Sequence, residues 1–363
     1  MSALKTPLAL LVCVALGASC RTDIELLPDE ETEPEEEQEE PECTAELTPR
    51  VEDCARAAPD AVPIAALSSS YVVADGEFLY YASEGRVVRL SMIGGEPEAL
   101  TPPDSINVGI RYIADGSLYW MQEGVVQRVP TTGGEPEPVV EIAPNAVWAI
   151  ADLAILSSGP YGDPSPLYRT SLTTYETTEL LAADPEQSIQ EIAVDGDRAL
   201  VELSNSLVAV PLGGGEPQLL ASGGHMVGAP PIVRDGEVYF GARFLPPTLE
   251  TGLYRVDLDE PSTPELFLPG FPIAFAFDDD ALFAHVVPQP ATNGITNGQI
   301  VRASIKGGDT AVITDTSSYA EGGVVTWSSS ALVVSGCNLY FIERCISEPP
   351  TSEARLLTMS KVP

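Results

Sequence analysis

The stretch YVVADGEFLYYAS at residues 71–83 decides the fold, because it returns 40 residues later as RYIADGSLYWMQ at residues 111–122. Copies of the same pattern, two clear and three weaker, occupy five further ranges: 192–203, 231–242, 147–158, 273–284 and 331–342. The chain therefore contains seven repeats. A period of about 40 residues is typical of architectures built from stacked supersecondary units.

Each repeat has the pattern of four short strands. An Asp-Gly turn joins two apolar runs, a third run such as RVVRLSMI follows, and a fourth such as EPVVEI ends the unit. These runs are rich in β-branched and aromatic residues and are bounded by Gly, Pro, Asp and Asn, while none keeps a helical period. The sequence predicts an all-β fold, a single β-propeller of seven four-stranded blades, with six or eight blades as alternatives.

The word GGEP occurs three times, at residues 94–97, 133–136 and 214–217, always between a third and a fourth strand. Its glycines can adopt positive φ, and its proline ends the ladder of hydrogen bonds. No helix follows the word, so it lacks the helix N-terminus on which a phosphate-binding loop depends. We interpret GGEP as a turn.

The last repeat is one strand short, because the chain stops after RLLTMSKVP. An additional strand, VPIAALS at residues 62–68, precedes the first repeat. We predict that this N-terminal strand joins the last blade as its outer strand and closes the ring. Such closure would leave no unpaired edge between the first and last blades.

The segments DGEFLYY, DGSLYWM and DGEVYFG resemble the repeats of TolB-like and YWTD-like β-propellers. The resemblance covers about residues 61–363, although the YWTD tetrapeptide is absent and residues 119–122 read YWMQ. It implies the fold and no particular activity. Propellers of this kind include receptors, periplasmic binding platforms and some enzymes, and function has to be argued from a site.

Residues 1–19 have the pattern of a lipoprotein signal peptide. Lys5 precedes a short apolar run at 8–18, and the segment ends LGASC at Cys20, the predicted site of lipidation. Gly17 stands three residues before this cysteine, where such signals usually carry an aliphatic residue. The alternative is ordinary signal cleavage near Ala18, which would leave Cys20 as a thiol.

Residues 20–60 are predicted to be an acidic, disordered tether that precedes a propeller domain at 61–363. Twelve acids and no Lys or Arg lie between residues 23 and 42, and such sequence cannot bury a core. Without these twelve, 42 acids remain against 18 bases, a charge near −24. This charge argues against binding nucleic acid or an anionic membrane surface, so we expect membrane contact only through the lipid.

Four cysteines remain if Cys13 leaves with the signal and Cys20 carries lipid. Cys337 and Cys345 flank a predicted strand of about 26 Å, whereas a disulfide needs Cα atoms about 4.4–6.8 Å apart. We therefore predict that they pair with Cys43 and Cys54. The alternative is a bridge between Cys43 and Cys54 that leaves two thiols.

The loop between the second and third strands is long in four repeats: 159–166, 244–251, 288–298 and 345–353. These loops should share one face of the ring with the crossings between blades, and insertions on one face often mark a binding surface. The binding-face candidates within them are Tyr161, Phe244, Asn293 and Asn297. Neutral growth of surface loops is the alternative.

The two histidines, His225 and His285, should lie toward the same face and complete the candidate set. A histidine beside a carboxylate can transfer protons, but neither neighbourhood has a catalytic spacing, and Asp278–Asp280 match the Asp-Gly turn position. We expect no metal and no cofactor.

The predicted function is that of a non-enzymatic, monomeric cell-envelope lipoprotein of the outer membrane, facing the periplasm or the exterior. Its long-loop face would bind a protein or a glycan. The alternatives are a propeller-type lyase or hydrolase that uses His225 or His285, and a purely structural envelope protein.

Overall fold

The alternation of apolar strands and tight turns is seen directly in the structure, a computed structural model. It describes the following residues: 62–67, 71–226, 229–244, 250–261, 263–287, 298–306, 310–315, 324–325, 332–335, 338–346 and 352–360. Every element among them is a β-strand. The strands form seven antiparallel sheets, which are the seven blades of a β-propeller, so the predicted fold class and blade number are confirmed.

Strand β1 (Val62–Leu67) precedes the first three blades, which contain four consecutive strands each. Blade 1 comprises β2 (Val72–Ala74), β3 (Phe78–Ser83), β4 (Arg86–Ser91) and β5 (Glu98–Ala99). Blade 2 comprises β6 (Tyr112–Ala114), β7 (Ser117–Gln122), β8 (Val125–Pro130) and β9 (Glu137–Glu141). Blade 3 comprises β10 (Ala146–Ala151), β11 (Ala154–Pro160), β12 (Leu167–Ser171) and β13 (Thr177–Leu181).

Blades 4 to 6 continue the pattern, with one interrupted first strand in blade 5. Blade 4 comprises β14 (Ile189–Asp195), β15 (Arg198–Leu203), β16 (Ser206–Pro211) and β17 (Gln218–Ser222). Blade 5 comprises β18 (Gly224–Met226), β19 (Ile232–Arg234), β20 (Glu237–Phe244), β21 (Thr251–Asp257) and β22 (Glu265–Pro269). Blade 6 comprises β23 (Phe271–Phe277), β24 (Ala281–Val287), β25 (Gln299–Ser304) and β26 (Thr310–Asp315).

Blade 7 contains strands from both ends of the propeller domain. Its chain-terminal strands are β27 (Val324–Val325), β28 (Leu332–Ser335), β29 (Asn338–Ile346) and β30 (Ser352–Ser360). Strand β1 pairs antiparallel with β30, with Ala65 opposite Leu356. The Tyr340 hydroxyl also donates to the Met92 carbonyl of blade 1 at 2.9 Å. The predicted closure by the N-terminal strand is therefore confirmed.

The core of the ring lies between blades rather than within them. The described residues contain seven buried apolar clusters, one for each pair of neighbouring blades. Trp120 fills the interface of blades 1 and 2, and Trp148 fills that of blades 2 and 3. First strands of different blades contact one another, as β2 and β6 do, so they form the inner wall of the ring.

The turns at one face of the ring follow local chemistry. We call this the turn face: it carries the turns between first and second strands and those between third and fourth strands. In all three GGEP words both glycines have positive φ, and the first glycine N–H donates to a carbonyl three residues earlier: Ser91, Pro130 and Pro211. The interpretation of GGEP as a turn is confirmed.

In two of the first-to-second-strand turns the aspartate side chain stabilises the turn. Asp75 Oδ1 accepts from the N–H groups of Glu77 and Phe78, and Asp278 Oδ1 accepts from those of Asp280 and Ala281. These bonds stabilise the reversal of the chain locally. The acidic run at Asp278–Asp280 is therefore the predicted turn.

We call the opposite face the loop face: it carries the loops between second and third strands and the crossings between blades. Antiparallel strands alternate in direction, so these connections emerge on the side away from the turn face. Each first strand begins near the loop face and ends at the turn face. The depth of a residue along the inner wall can therefore be counted back from the aspartate of the turn.

Candidate functional site: a cavity in the central channel

Counting four residues back from the turn aspartate gives the same depth in each blade. Blades 1, 2, 4 and 6 place Tyr71, Arg111, Glu191 and Ala274 there. These four side chains lie in or directly before the first strands, and all line one cavity of about 200 Å³. The repeat thus brings positions far apart in sequence to one level of the channel, on the side where the first strands begin.

The cavity has two chemically different walls. Blades 1, 2 and 4 contribute a polar wall that contains Tyr71, Arg111, Tyr112 and Glu191. Blades 5, 6 and 7 contribute an apolar wall: Ala229, Pro230, Ile232, Ala274, Phe275 and Leu332. A pocket of this composition can hold an apolar group while its polar wall fixes orientation.

The polar wall is organised by an ion pair between nonadjacent blades. Arg111 Nη2 donates to both carboxylate oxygens of Glu191, at 3.1 and 2.8 Å. About a quarter of each side chain is exposed. The pair uses only one guanidinium nitrogen, so Glu191 does not engage Nη1 and Nε. Arg111 also lies over the ring of Tyr71, with Cζ 5.8 Å from the ring centroid.

Burial and the ion pair act in opposite directions on Glu191. Burial raises the pKa of the Glu191 carboxyl, and Arg111 offsets part of that rise. The pKa of Arg111 is raised despite burial, because Tyr112 and Glu191 favour its charged form. Burial also raises the pKa of Tyr112 to about 12, and its hydroxyl donates to the Trp148 carbonyl. The hydroxyl is therefore held in place and stays protonated at neutral pH.

A second layer of residues lies behind the cavity on the second strands. Glu202 in β15 pairs with Glu191, and His285 in β24 pairs with Ala274. Both side chains are buried. Burial and the neighbouring Glu191 raise the pKa of Glu202 well above its usual value, and burial lowers the pKa of His285 to about 3. Burial thus favours the neutral form of both groups.

The histidines that the sequence singled out lie in different settings. His225 in β18 is exposed near the loop face and pairs with Arg243, which directly precedes the long loop of blade 5. His285 is buried behind Ala274. Neither histidine is among the residues that line the cavity. The convergence of both with carboxylates, which the enzyme alternative needs, is not seen among the described residues.

Two of the long-loop candidates are described and differ in environment. Tyr161 is 64% exposed at the start of the blade 3 loop. Phe244 instead packs edge-on against Tyr254, with ring centroids 4.6 Å apart, and lies close to Gly224. Phe244 is therefore a half-buried packing residue at the edge of the loop face.

Other predicted positions fall largely outside the described residues. Asn293 and Asn297 lie there, as do Cys20, Cys43, Cys54 and Cys337. Cys345 belongs to β29, where it pairs with Val325 and Glu353, and the predicted disulfides stay predictions. Within the part of the chain that the structure describes, no helix is long and apolar enough to cross a membrane. Those residues also contain no group of three or more His, Cys, Asp or Glu placed to hold a metal ion.

A second groove, of about 310 Å³, lies beside the blade 3 loop and is lined by several hydroxyl side chains. Its polar groups already bond to one another. Ser165 Oγ accepts from the Gly159 N–H at 2.9 Å, and the hydroxyls of Thr170 and Thr177 are 3.0 Å apart. The polar groups of this groove therefore stabilise blade 3 itself. The channel cavity, in contrast, is lined by residues from six blades.

The residues of the polar wall were absent from the candidates predicted from sequence. A signal was nevertheless present, because the quoted repeats begin one blade with Tyr71 and the next with Arg111, at equivalent positions. Aligning the repeats on the turn aspartate shows that this position differs in each of the six blades that have one: Tyr71, Arg111, Trp148, Glu191, Pro231 and Ala274. Variation at this one position, within an otherwise regular repeat, is the sequence signal that could have identified residues of the channel wall.

No family model matches the chain, and no curated protein matches it either. Solved structures do. The AfRom2 CNH domain shares 11% identity with a TM-score of 0.51, over 83% of this chain and 99% of that one. A prolyl endopeptidase shares 13% with a TM-score of 0.52, over 81% of this chain and 50% of that one.

The extracellular domain of a hybrid two-component system of B. thetaiotaomicron shares 13% with a TM-score of 0.52, over 85% of this chain and 39% of that one. The chain thus spans half or less of the endopeptidase and the two-component protein. At these identities the likeness shows the fold alone. The β-propeller fold that the resemblance to TolB-like and YWTD-like repeats implied is confirmed.

Proposed function

We propose that the chain is an exported, lipid-anchored binding protein whose propeller binds a protein or a glycan on its loop face. The observation that carries the proposal is the cavity near that face, where side chains from six blades meet around the Arg111–Glu191 pair. A partly open cavity with an apolar wall and a few convergent polar groups is the usual form of a binding site.

The loop face also carries the features that a partner could contact around this cavity. Tyr161 is exposed there, and His225 and Arg243 lie side by side on neighbouring strands. Exposed aromatic and cationic side chains are frequent anchors of protein interfaces. The turn face, in contrast, repeats the same short turns from blade to blade.

The signal-like residues 1–19, Cys20 and the acidic segment support an anchored, exported protein. An extended linker would let the propeller meet partners at a distance from the membrane. Metabolic labelling with a fatty acid tests the anchor, with Cys20→Ser as the control. Label on the wild type and none on the variant is expected, and an unlabelled wild type would contradict the anchor.

Blade 3 offers a matched test of the binding face. Tyr161 on the loop face and Tyr175 on the turn face are 64% and 65% exposed. Crosslinking and recovery of partners from intact cells would compare the wild type with Tyr161→Ser and Tyr175→Ser. Partner recovery should fall severalfold for Tyr161→Ser and stay unchanged for Tyr175→Ser.

Deletions confined to 245–250, 288–298 and 347–351, which leave the paired strand residues in place, extend the same test to blades 5 to 7. Loss of partners is expected in at least one of these variants. Recovery of the same partners, in the same amounts, from all loop-face variants would refute the proposal.

A further inference from the structure

The cavity restricts the chemistry of what can enter it, beginning with size. Its volume of about 200 Å³ lies below the roughly 300–1,000 Å³ of sites that take drug-sized ligands. It therefore suits a single side chain together with the groups on its α-carbon. The apolar wall, with Ile232, Phe275 and Leu332, matches an aliphatic or aromatic side chain rather than a sugar ring covered by hydroxyls.

The polar wall matches two groups of opposite character held close together. Glu191 engages Arg111 through Nη2 alone. Tyr112 also hydrogen-bonds the Arg111 guanidinium, and the N–H groups that neither residue uses can donate to a second carboxylate. A guanidinium binds a carboxylate well through two parallel N–H donors. The Glu191 oxygens, which already accept from Arg111, retain lone pairs for an N–H donor on the same ligand.

Net charge decides between the remaining ligand classes. A bare anion would approach Arg111 against the field of a domain with a charge near −24. A bare cation would meet the guanidinium of Arg111 inside the cavity, beside a Glu191 that this guanidinium already neutralises. A free amino acid avoids both costs, because its carboxylate and ammonium charges cancel. The C-terminal residue of a peptide keeps one negative charge and avoids only the second cost.

We infer that the cavity binds an apolar amino-acid unit, with its carboxylate on Arg111, its α-nitrogen on Glu191 and its side chain against blades 5 to 7. Two sources share this chemistry, a free apolar amino acid and the C-terminal residue of a peptide. The inference rests on the proposed binding function. It assigns to the cavity either the C-terminal residue of a protein partner or, as a separate small ligand, a free amino acid.

Calorimetric titration of the full-length protein tests the inference with three probes. These are free leucine, N-acetyl-glycyl-leucine with its free carboxylate, and the same dipeptide as its C-terminal amide. Saturable binding is expected for one or both probes with a free carboxylate, and at least tenfold weaker binding for the amide. Preference for leucine or for the acetylated dipeptide identifies the source. Equal binding of acid and amide, or no saturable binding by any probe, would overturn the inference.

Substitutions assign the contacts. Arg111→Gln should weaken the carboxylate probes at least tenfold, whereas Arg128→Gln should leave them unchanged. Arg128 is the matched control because it also pairs with a glutamate, Glu137, but on the third and fourth strands of blade 2, outside the cavity. Equal losses in the two variants would refute the assigned contact.

Glu191→Gln provides a second variant in case Arg111→Gln does not fold. The amide of glutamine can still accept from Arg111, but it carries no charge. Free leucine should therefore lose more affinity than the acetylated dipeptide, because only its ammonium group needs the carboxylate. Unchanged affinity for both probes would exclude Glu191 as the nitrogen contact.

The two proposals can fail separately. If none of the three probes binds while Tyr161→Ser still loses partners in cells, the loop face binds by other means. The amino-acid inference alone is then wrong.

Discussion

The turn face and the channel wall are built from the same hairpins, only four residues apart, yet they follow different rules. At the turn face, Asp75 in blade 1 and Asp278 in blade 6 make the same two backbone hydrogen bonds. At the channel wall, the equivalent positions carry Tyr71 and Ala274. Both turns are closed by hydrogen bonds among their own residues, so the same short-range chemistry serves in two separate blades. At the channel wall, side chains from six blades line one cavity, and each can contribute a different group to a shared site.

The largest predicted effect tests whether residues at the depth of the channel wall also stabilise the fold. Trp120 is fully buried between blades 1 and 2, directly after Tyr119, whose carbonyl accepts the Arg111 N–H at 2.9 Å. Trp120→Ala should lower the free energy of unfolding by about 3–5 kcal/mol, the usual cost of emptying a buried aromatic site. Chemical denaturation measures it.

Ile93→Ala is the control for this substitution, because Ile93 lies in a turn on the turn face and is 77% exposed. It should change the free energy of unfolding by less than about 0.5 kcal/mol. If Trp120→Ala lowers the free energy of unfolding no more than Ile93→Ala does, the residues at the depth of the channel wall differ between blades without contributing to stability.

Glu202 gives the next effect, which depends on pH. Its pKa is raised by burial and by Glu191, so the folded state holds a proton that the unfolded state releases above about pH 4.5. Stability from this group is therefore present at low pH and declines as pH rises toward the folded pKa. The decline can reach about 1.4 kcal/mol per pH unit.

Glu202→Gln removes this titration and keeps the shape of the side chain. The advantage of the variant over the wild type in free energy of unfolding should grow as pH rises above about 4.5. Denaturant titrations of both proteins at several pH values measure the difference, in which carboxylates that do not interact with Glu202 cancel. A difference that is independent of pH would contradict the raised pKa.

The turns of the turn face could be predicted from the sequence, whereas the residues of the channel site could not, and the reasons are physical. A turn such as Asp75–Phe78 depends on residues within four positions, so its chemistry is visible in a short quotation. Closure by β1 was also predictable, because a missing fourth strand and an additional first strand complement each other. Blade count and ring closure were thus predictable from local patterns and a fixed period.

The Arg111–Glu191 contact joins residues 80 positions apart across the channel, and no local pattern marks it. Four of the six predicted candidates came from loop length, which shows where insertion is tolerated rather than where groups converge. Phe244 illustrates the difference. It borders a long loop, but its ring is used to pack against Tyr254. The polar wall becomes visible only when repeats are aligned by depth in the ring.

A smaller effect concerns two turn glycines. Replacing them with alanine separates the cost of backbone strain from the cost of a steric clash with the neighbouring blade. Gly133 and Gly116 both have positive φ, 90° and 67°. A Cβ on Gly133 would lie 2.8 Å from the Leu100 carbonyl oxygen of blade 1, whereas a Cβ on Gly116 meets no atom within 4 Å. Gly116→Ala should cost about 1 kcal/mol from strain alone, and Gly133→Ala about 2–3 kcal/mol.

Thermal unfolding of the two alanine variants compares these costs. The excess for Gly133 measures how far a turn is coupled to the neighbouring blade, since the Gly134 N–H also donates to the Leu100 carbonyl at 2.9 Å. Equal costs would mean that the turns of this face depend only on their own blades.

The smallest expected effect decides how the binding test in blade 3 is to be interpreted. The side chains of Tyr161 and Tyr175 are largely in solvent, so Tyr161→Ser and Tyr175→Ser should each change the free energy of unfolding by less than about 0.5 kcal/mol. Tyr175 has a φ of 59°, and serine retains the same strain because it also carries a Cβ. Denaturation of both variants checks this. If stability is unchanged while partner recovery differs, the two faces differ in recognition; a drop for Tyr161→Ser alone would mean that the loop face supports the fold.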